Sequence, residues 1–316
     1  MNRAAARRGT TSRRRTTSRL TTAGAAPYAF AAPAVVLFAL TFLLPIGYTA
    51  YLSLFRIEVR GLGLGKGSRS EVFAGLGNYA RALTDAELGA GVVRVLVYGG
   101  ILVPTMLGLA LVFALLLDEE RARARGFARL AIFLPYAIPG VIATVLWGFL
   151  YLPATSPFTQ ALRALSLPEA DFLSPTGIYF ALANIAVWGG VGYNTVVLHT
   201  ALRAIPRELY EAARIDGCTP VQLALRVKVP LLAPALVLTT LFSVIATLQV
   251  FAEPTTLAPL TNSLSRTWTP LMKVYQDAFA RGDVHSAAAT SVLIGLGTAV
   301  ISFGLLRATR RFGGLR

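Results

Sequence analysis

The chain has 316 residues, 55% of them hydrophobic and only 14% charged, with a mean hydropathy of +0.61. Soluble domains carry about 25% charged residues, so an ordinary water-soluble fold is excluded. A net charge of +15 raises nucleic acid as a partner, but the cations gather at the ends of apolar runs and in alternate loops, which is the pattern of a membrane surface. One cysteine, Cys218, and two histidines, His199 and His285, leave no disulfide framework and no Cys/His metal site.

Residues 1–24 hold Arg3, Arg7, Arg8, Arg13, Arg14, Arg15 and Arg19 among small polar residues and read as a disordered basic arm. It resembles the start of a signal peptide. The apolar run that follows, 28–54, is longer than a signal core and more runs come after it, so an uncleaved first span is expected. Further apolar runs lie at 92–117, 131–152, 176–200, 231–253 and 284–306, each long enough for a tilted spanning helix. Pro45, Pro104, Pro135 and Pro139 fall inside runs, where neighbouring helices satisfy the carbonyls they free.

Charge sets the orientation. The arm, the 118–130 loop (Arg121, Arg123, Arg125, Arg129), the 201–230 loop (Arg203, Arg207, Arg214, Arg226, Lys228) and the tail (Arg307, Arg310, Arg311, Arg316) hold most of the 30 cationic residues. By the positive-inside rule both termini are cytoplasmic, and the loops at 55–91 and 254–283 face outward. The expected fold is an all-α membrane protein of six transmembrane helices: a spanning domain over 25–308, a cytoplasmic hairpin at 201–230 between spans four and five, and a cytoplasmic tail at 309–316. Asp118 to Arg129 reads as a solvated loop with local ion pairs, and His199 and His285 as interfacial residues.

The hairpin is the most ordered piece of loop sequence. Pro206 suits a first helical position, with Glu208 and Glu211 near the positive end of the helix dipole. Gly217 suits a left-handed helix end. Thr219 caps a second helix with Pro220 at its first position, and Pro230 marks the return to the membrane. Such a hairpin serves either as a docking element or as an interfacial helix pair with no partner.

Polar residues inside spans usually face a bundle interior. Thr239, Ser243 and Thr247 recur every four residues on span five, with Gln249 and Glu253 further along; Glu253 is expected near the outer interface. Span four carries Asn184, Trp188, Tyr193 and Asn194, a mixture of rings and amides suited to sugars. The same hydroxyls also serve as helix-helix glue.

One family brings these features together. Glu211, Ala212, Ala213, Gly217, Val227, Val229 and Pro230 match the Glu-Ala-Ala signature of the permeases of ATP-binding-cassette (ABC) importers, with Val227 and Val229 in place of Ile and Leu and Cys218 in place of Ala. Cys218 then reads as a small packing residue. The flanks Ile205, Pro206, Arg207, Glu208, Leu209 and Tyr210, the pair Asp216–Gly217, the outer-loop run Phe73, Gly75, Leu76, Asn78 and Tyr79, and the position of Trp188 resemble the carbohydrate-uptake branch. The segment 48–55 is similar to the half usually encoded first in a permease pair.

The resemblance implies a non-catalytic subunit that moves a sugar or oligosaccharide by alternating access. Its implied partners are a second permease of different sequence, two copies of a cytosolic ATPase, an extracellular solute-binding protein and membrane lipid, with no nucleic acid. Glu208, Glu211, Ala212, Ala213, Asp216 and Gly217 would couple to the ATPase. Gly190, Tyr193, Asn194, Ser243, Thr247 and Gln249 would line the substrate pathway. No cofactor is expected on this chain; ATP and Mg²⁺ belong to the partner ATPase. The run Gly61 to Ser68 imitates a phosphate loop, but Arg60 replaces its first glycine and Gly67 follows Lys66, which removes the chemistry. A non-sugar solute such as a polyamine, phosphate or amino acid is the alternative. A secondary carrier is a further one, for which acidic relays or inverted repeats are expected and none is evident.

Overall fold

The computed structural model describes residues 26–59, 69–119, 124–168 and 170–312. The basic arm, the Gly61 to Ser68 run, Arg121, Arg123 and the last four residues lie outside them. The chain divides into two units, Met1–Tyr48 and Thr49–Arg316. The first contains α1 (Ala26–Phe38), whose hydroxyl-bearing neighbour Thr41 donates to the Leu37 carbonyl at 2.7 Å. A single π turn, Ala39–Leu43, leads from it into α2 (Leu44–Ser53). The stretch Pro27–Ser53 is long and apolar enough to cross a membrane.

The second unit begins with a hairpin of β1 (Phe55–Val59) and β2 (Arg69–Phe73), antiparallel with Phe55 opposite Phe73. The short helix α3 (Gly77–Leu83) follows. The Phe73–Tyr79 run works here as a clamp. Gly75 takes a left-handed φ of 54° that turns the chain. The buried Asn78 amide then donates to the carbonyls of Ser53 at 2.7 Å and Phe55 at 2.6 Å, while the Tyr79 hydroxyl meets Ser53 Oγ at 2.5 Å. Asn78 thus satisfies carbonyls left over where α2 ends and β1 starts.

The core is built on α4 (Ala86–Asp118) and α8 (Gly177–Arg203), the most extensively packed pair. Tyr98, Leu102 and Met106 pack with Ile178, Leu182 and Ile185; nearer the other end Ala110 and Ala114 meet Leu198 and Leu202. Small residues allow this closeness, since lipid offers apolar side chains no hydrophobic gain for pairing. The sharpest case is Gly192, where an added Cβ would lie 2.2 Å from the Ile132 carbonyl oxygen. Gly192 is therefore what lets α5 (Arg125–Phe133) reach the α8 backbone.

Among the described residues four helices are long and apolar enough to cross a membrane, and up to six if each of two bent pairs is one span. The expected run at 131–152 is bent: α5, with a 3₁₀ turn at Leu134–Ala137, meets α6 (Gly140–Tyr151) at 96°. The cause is local. Ile138 precedes Pro139 and is pushed into an extended conformation (φ −84°, ψ 128°). The fifth run is corrected. Its apolar helix α12 (Ala233–Leu248) stops five residues short of 253 and bends by 67° from the preceding helical stretch at Leu232, between Pro230 and Pro234. The second run extends back to Ala86, and the last helix, α15 (Val284–Phe312), continues beyond 306.

The 153–175 loop carries α7 (Pro157–Ala164), and the loop at 254–283 carries α13 (Ala252–Leu257) and α14 (Pro270–Tyr275). The latter loop is pinned by charge. Buried Lys273 binds Asp277 at 2.8 Å and Asp85 at 3.0 Å, and Asp277 binds Arg281 at 2.7 Å. Asp85 also caps α4 by accepting from the Leu88 amide at 2.9 Å. Burial alone would raise the Asp85 carboxyl, but the Leu88 amide and Lys273 outweigh it and hold its pKa below the ordinary value. Burial likewise opposes the charge on Lys273, yet Asp277 and Asp85 raise its pKa overall. His285 is also corrected: it is buried, with Nδ1 3.0 Å from the Leu52 carbonyl oxygen.

Two expectations follow. Asn78→Ala strands two carbonyls and costs about 1–3 kcal/mol, read as a lower thermal midpoint in detergent with the fold intact by circular dichroism. Because the folded Asp85 pKa is depressed, its contribution is present above its unfolded value and lost as pH falls through the folded one. Thermal stability therefore declines below about pH 4, and Asp85→Asn lowers the neutral-pH midpoint while flattening that decline.

Candidate functional site

Two places gather the singled-out residues. The first is the hairpin. Its first helix, α9 (Arg207–Ile215), has Pro206 as the capping residue, one position before the expected first turn. It closes in a Schellman pattern: Gly217 sits at φ 83°, its amide donates to the Arg214 carbonyl, and the Cys218 amide donates to the Ala213 carbonyl, both at 3.0 Å. The left-handed φ is what demands glycine here. Thr219 and Gln222 then form a reciprocal capping box. The second helix is only one turn long, α10 (Pro220–Leu223), and passes through a π turn at Ala224–Lys228 into α11 (Val229–Leu231).

Glu208, Glu211, Ala212, Asp216 and Gly217 are exposed, and Ala213 is half-buried. Leu209, Ile215 and Val221 are exposed beside them, Ile215 at 86%. A rigid hairpin thus presents acidic and apolar side chains together, outside any apolar helix. Exposed apolar groups of this size on a stiff element call for a covering partner.

What anchors the hairpin corrects the reading of Asp118 as part of a solvated loop. Asp118, at the last turn of α4, keeps only 9% of its side chain accessible and binds buried Lys228 at 2.6 Å, 110 residues away in sequence. The Lys228 ammonium also lies 5.0 Å from the centre of the Tyr210 ring. Burial, and then the Asp118 charge, push the Tyr210 phenol upward. Arg125 donates to the Glu119 carbonyl. His199, expected at the interface, is buried.

The second place is a cavity of about 620 Å³ between α4, α6, α8 and α12. All six pathway candidates line it: Gly190, Tyr193 and Asn194 from α8, and Ser243, Thr247 and Gln249 from α12 and its end. Gly190 leaves room for Met106, whose Cε would lie 2.9 Å from an added Cβ. Asn194 donates to the Gly190 carbonyl at 3.1 Å, and the Thr247 hydroxyl to the Ser243 carbonyl at 2.7 Å. Thr239 does not reach the cavity; its hydroxyl is spent on the Ala235 and Leu236 carbonyls. Asn184 and Trp188 also turn elsewhere, to the Tyr151 hydroxyl at 2.8 Å and the Trp147 ring.

Sequence reasoning missed Tyr136, Tyr98 and Phe251, which share the lining, and Glu253, expected near the outer interface, lies on the same lining. Tyr136 stacks on Tyr193 with centroids 5.3 Å apart and planes 20° from parallel. The helix break at Pro139 puts Tyr136 there, and the Pro135–Pro139 pair was the available signal.

Breaking the Asp118–Lys228 pair gives a direct check of the anchor. Asp118→Ala leaves a buried ammonium uncompensated and costs about 3–5 kcal/mol. The double variant Asp118→Ala with Lys228→Met recovers most of that in a thermal-unfolding cycle.

Residues 89–312 match the family model described as binding-protein-dependent transport system inner membrane component. The chain is 29% identical over 293 residues to the sn-glycerol-3-phosphate transport system permease protein UgpA of Yersinia pseudotuberculosis, covering 90% of this chain and 96% of the relative. It is 29% identical to the protein of that name from Agrobacterium fabrum, over 85% of this chain and 89% of the relative. Among solved structures it resembles a chain of a bacterial ABC transporter involved in import of the acidic polysaccharide alginate, with TM-score 0.76, 19% identity, and coverage of 90% and 95% of the two chains. A chain of the inward-facing MetNI methionine ABC transporter matches at TM-score 0.54 and 19% identity, over 71% of this chain and 95% of that one. These likenesses are of fold.

Proposed function

Because the chain belongs to the family of binding-protein-dependent transport system inner membrane components, we propose that it is the membrane-spanning subunit of an ATP-driven importer that moves a sugar or oligosaccharide by alternating access. The bundle crosses the inner membrane six times, counting each bent pair as one span. Both termini and the 201–230 hairpin face the cytoplasm. It pairs with a second permease of different sequence, two ATPase subunits that use ATP and Mg²⁺, and an external solute-binding protein.

The observation that carries this reading is the hairpin: a capped helix with exposed Glu208, Glu211 and Ile215, held at its base by a buried ion pair to α4. Glu208, Glu211, Ala212, Ala213, Asp216 and Gly217 contact the ATPase. Closure of the ATPase pair moves α9 as a unit. Lys228 and Asp118 carry that movement to α4, and the Gly192 contact carries it between α8 and α5. Two discrete packings of the spans, rather than gradual bending, then open the cavity to alternate sides. The stacked tyrosines, amides and hydroxyls of the cavity suit a sugar's C–H faces and hydroxyls. The relatives' named solute makes a phosphorylated polyol the second reading.

An ATPase subunit co-purifies with the tagged chain if this assignment is right. Glu211→Ala, which removes a charge-assisted contact of about 1.5–3 kcal/mol, lowers solute uptake and solute-stimulated ATP hydrolysis about tenfold or more while the chain still reaches the membrane. Absence of a co-purifying ATPase together with unchanged uptake by Glu211→Ala would overturn the assignment.

A further inference from the structure

The charge inventory of the cavity is lopsided. Among the described residues that line it there is one carboxylic acid, Glu253, and no lysine, arginine or histidine. Glu253 is half-buried, and within the described residues its carboxylate makes no hydrogen bond or ion pair. The side chains of Ser243 and Gln249 on the same wall are also without a partner there. Two other polar groups of the lining are spent within the chain: Asn194 Nδ2 on the Gly190 carbonyl and the Met106 sulfur, and the Thr247 hydroxyl on the Ser243 carbonyl. An aromatic face is exposed in the same lining, since Tyr136 is 49% and Tyr193 42% accessible.

We infer that this cavity selects an uncharged, polyhydroxylated solute and excludes anions, with Glu253 as the specificity-determining residue. The inference rests on the importer reading above and narrows it away from the phosphorylated polyol named for the relatives. A solute hydroxyl donates to the Glu253 carboxylate in a charge-assisted bond, stronger than one between neutral groups. Ser243 and Gln249 bond neighbouring hydroxyls, and the Tyr136–Tyr193 pair covers an apolar sugar face. A phosphate or uronate meets the opposite situation, for it loses water, finds no cation on the wall and faces a like charge. Two like charges about 8 Å apart at an effective permittivity of about 20 repel enough to weaken binding about thirtyfold. The cavity volume of about 620 Å³ lies in the range of small-molecule sites and admits a short oligosaccharide.

The test uses the complete importer in lipid nanodiscs, with its partner permease and ATPase, and equilibrium dialysis of three radiolabelled probes. These are maltotriose, the same trisaccharide oxidised to a terminal glucuronate, and sn-glycerol 3-phosphate. The wild type binds maltotriose about tenfold or more tighter than either anion. Glu253→Gln, an isosteric neutral change, brings that ratio to within about threefold, and Glu253→Asp retains the preference. Each variant is compared only after it elutes with its partners and melts like the wild type. A wild type that prefers either anion overturns the inference, as does an unchanged ratio in Glu253→Gln, or no binding of any probe at millimolar concentration. ATPase co-purification and the Glu211→Ala defect are read on the same preparation. If those hold while the charge preference fails, only this inference falls; if those fail, the importer reading falls with it.

Discussion

The buried pair between Asp118 and Lys228 is the constraint on which the arrangement of the hairpin depends. Two opposite charges drawn from water at 2.6 Å are costly to separate, so the end of α4 and the base of the hairpin behave as one body. The Tyr210 ring closes over the ammonium and adds α9 to the same body. The motion of any partner that grips α9 is therefore passed to α4, and α4 forms one wall of the cavity through Tyr98, Leu102 and Met106. A hairpin tied only by its peptide links would absorb such motion in loop flexibility.

Two backbone devices turn that rigidity into a cavity. Pro139 forces Ile138 out of helix and folds the third apolar run through 96°, which carries Tyr136 onto Tyr193. The prolines around Leu232 bend the fifth run and aim Ser243, Thr247 and Gln249 at the same space. Irregular backbone at membrane depth persists only where protein buries it or where it lines a cavity, and both breaks satisfy that condition. The clamp at Asn78 and the Lys273 network do comparable work at the opposite end, where they fix the long loops to the starts of α4 and α15.

Much of this was legible before any fold was known. Apolar run length gave six candidate runs; among the described residues four hold single long helices and two hold bent pairs. The left-handed Gly217 and the Thr219 cap were readable as turn chemistry and occur as expected. All six pathway candidates share one cavity, because a four-residue polar stripe on an apolar helix has few places to face other than inward. Periodicity was less informative where pairing is long-range. Asp118 read as solvated because nothing near it in sequence reveals a partner 110 residues away. His285 read as interfacial for the same reason, since its partner is the Leu52 carbonyl.

The amino-acid sequence by itself determined membrane embedding, the helical spans, the hairpin's start and stop signals and the family signature, because hydropathy, capping and glycine conformations are local properties. The tertiary structure alone decided which polar groups meet. It placed Glu253 on a cavity wall with Ser243 and Gln249, brought Tyr136 onto Tyr193, and buried Lys228 against Asp118. Those outcomes depend on helix bends and on crossings between segments distant in sequence. A one-dimensional pattern carries neither the angle of a break nor the depth at which a charge comes to rest.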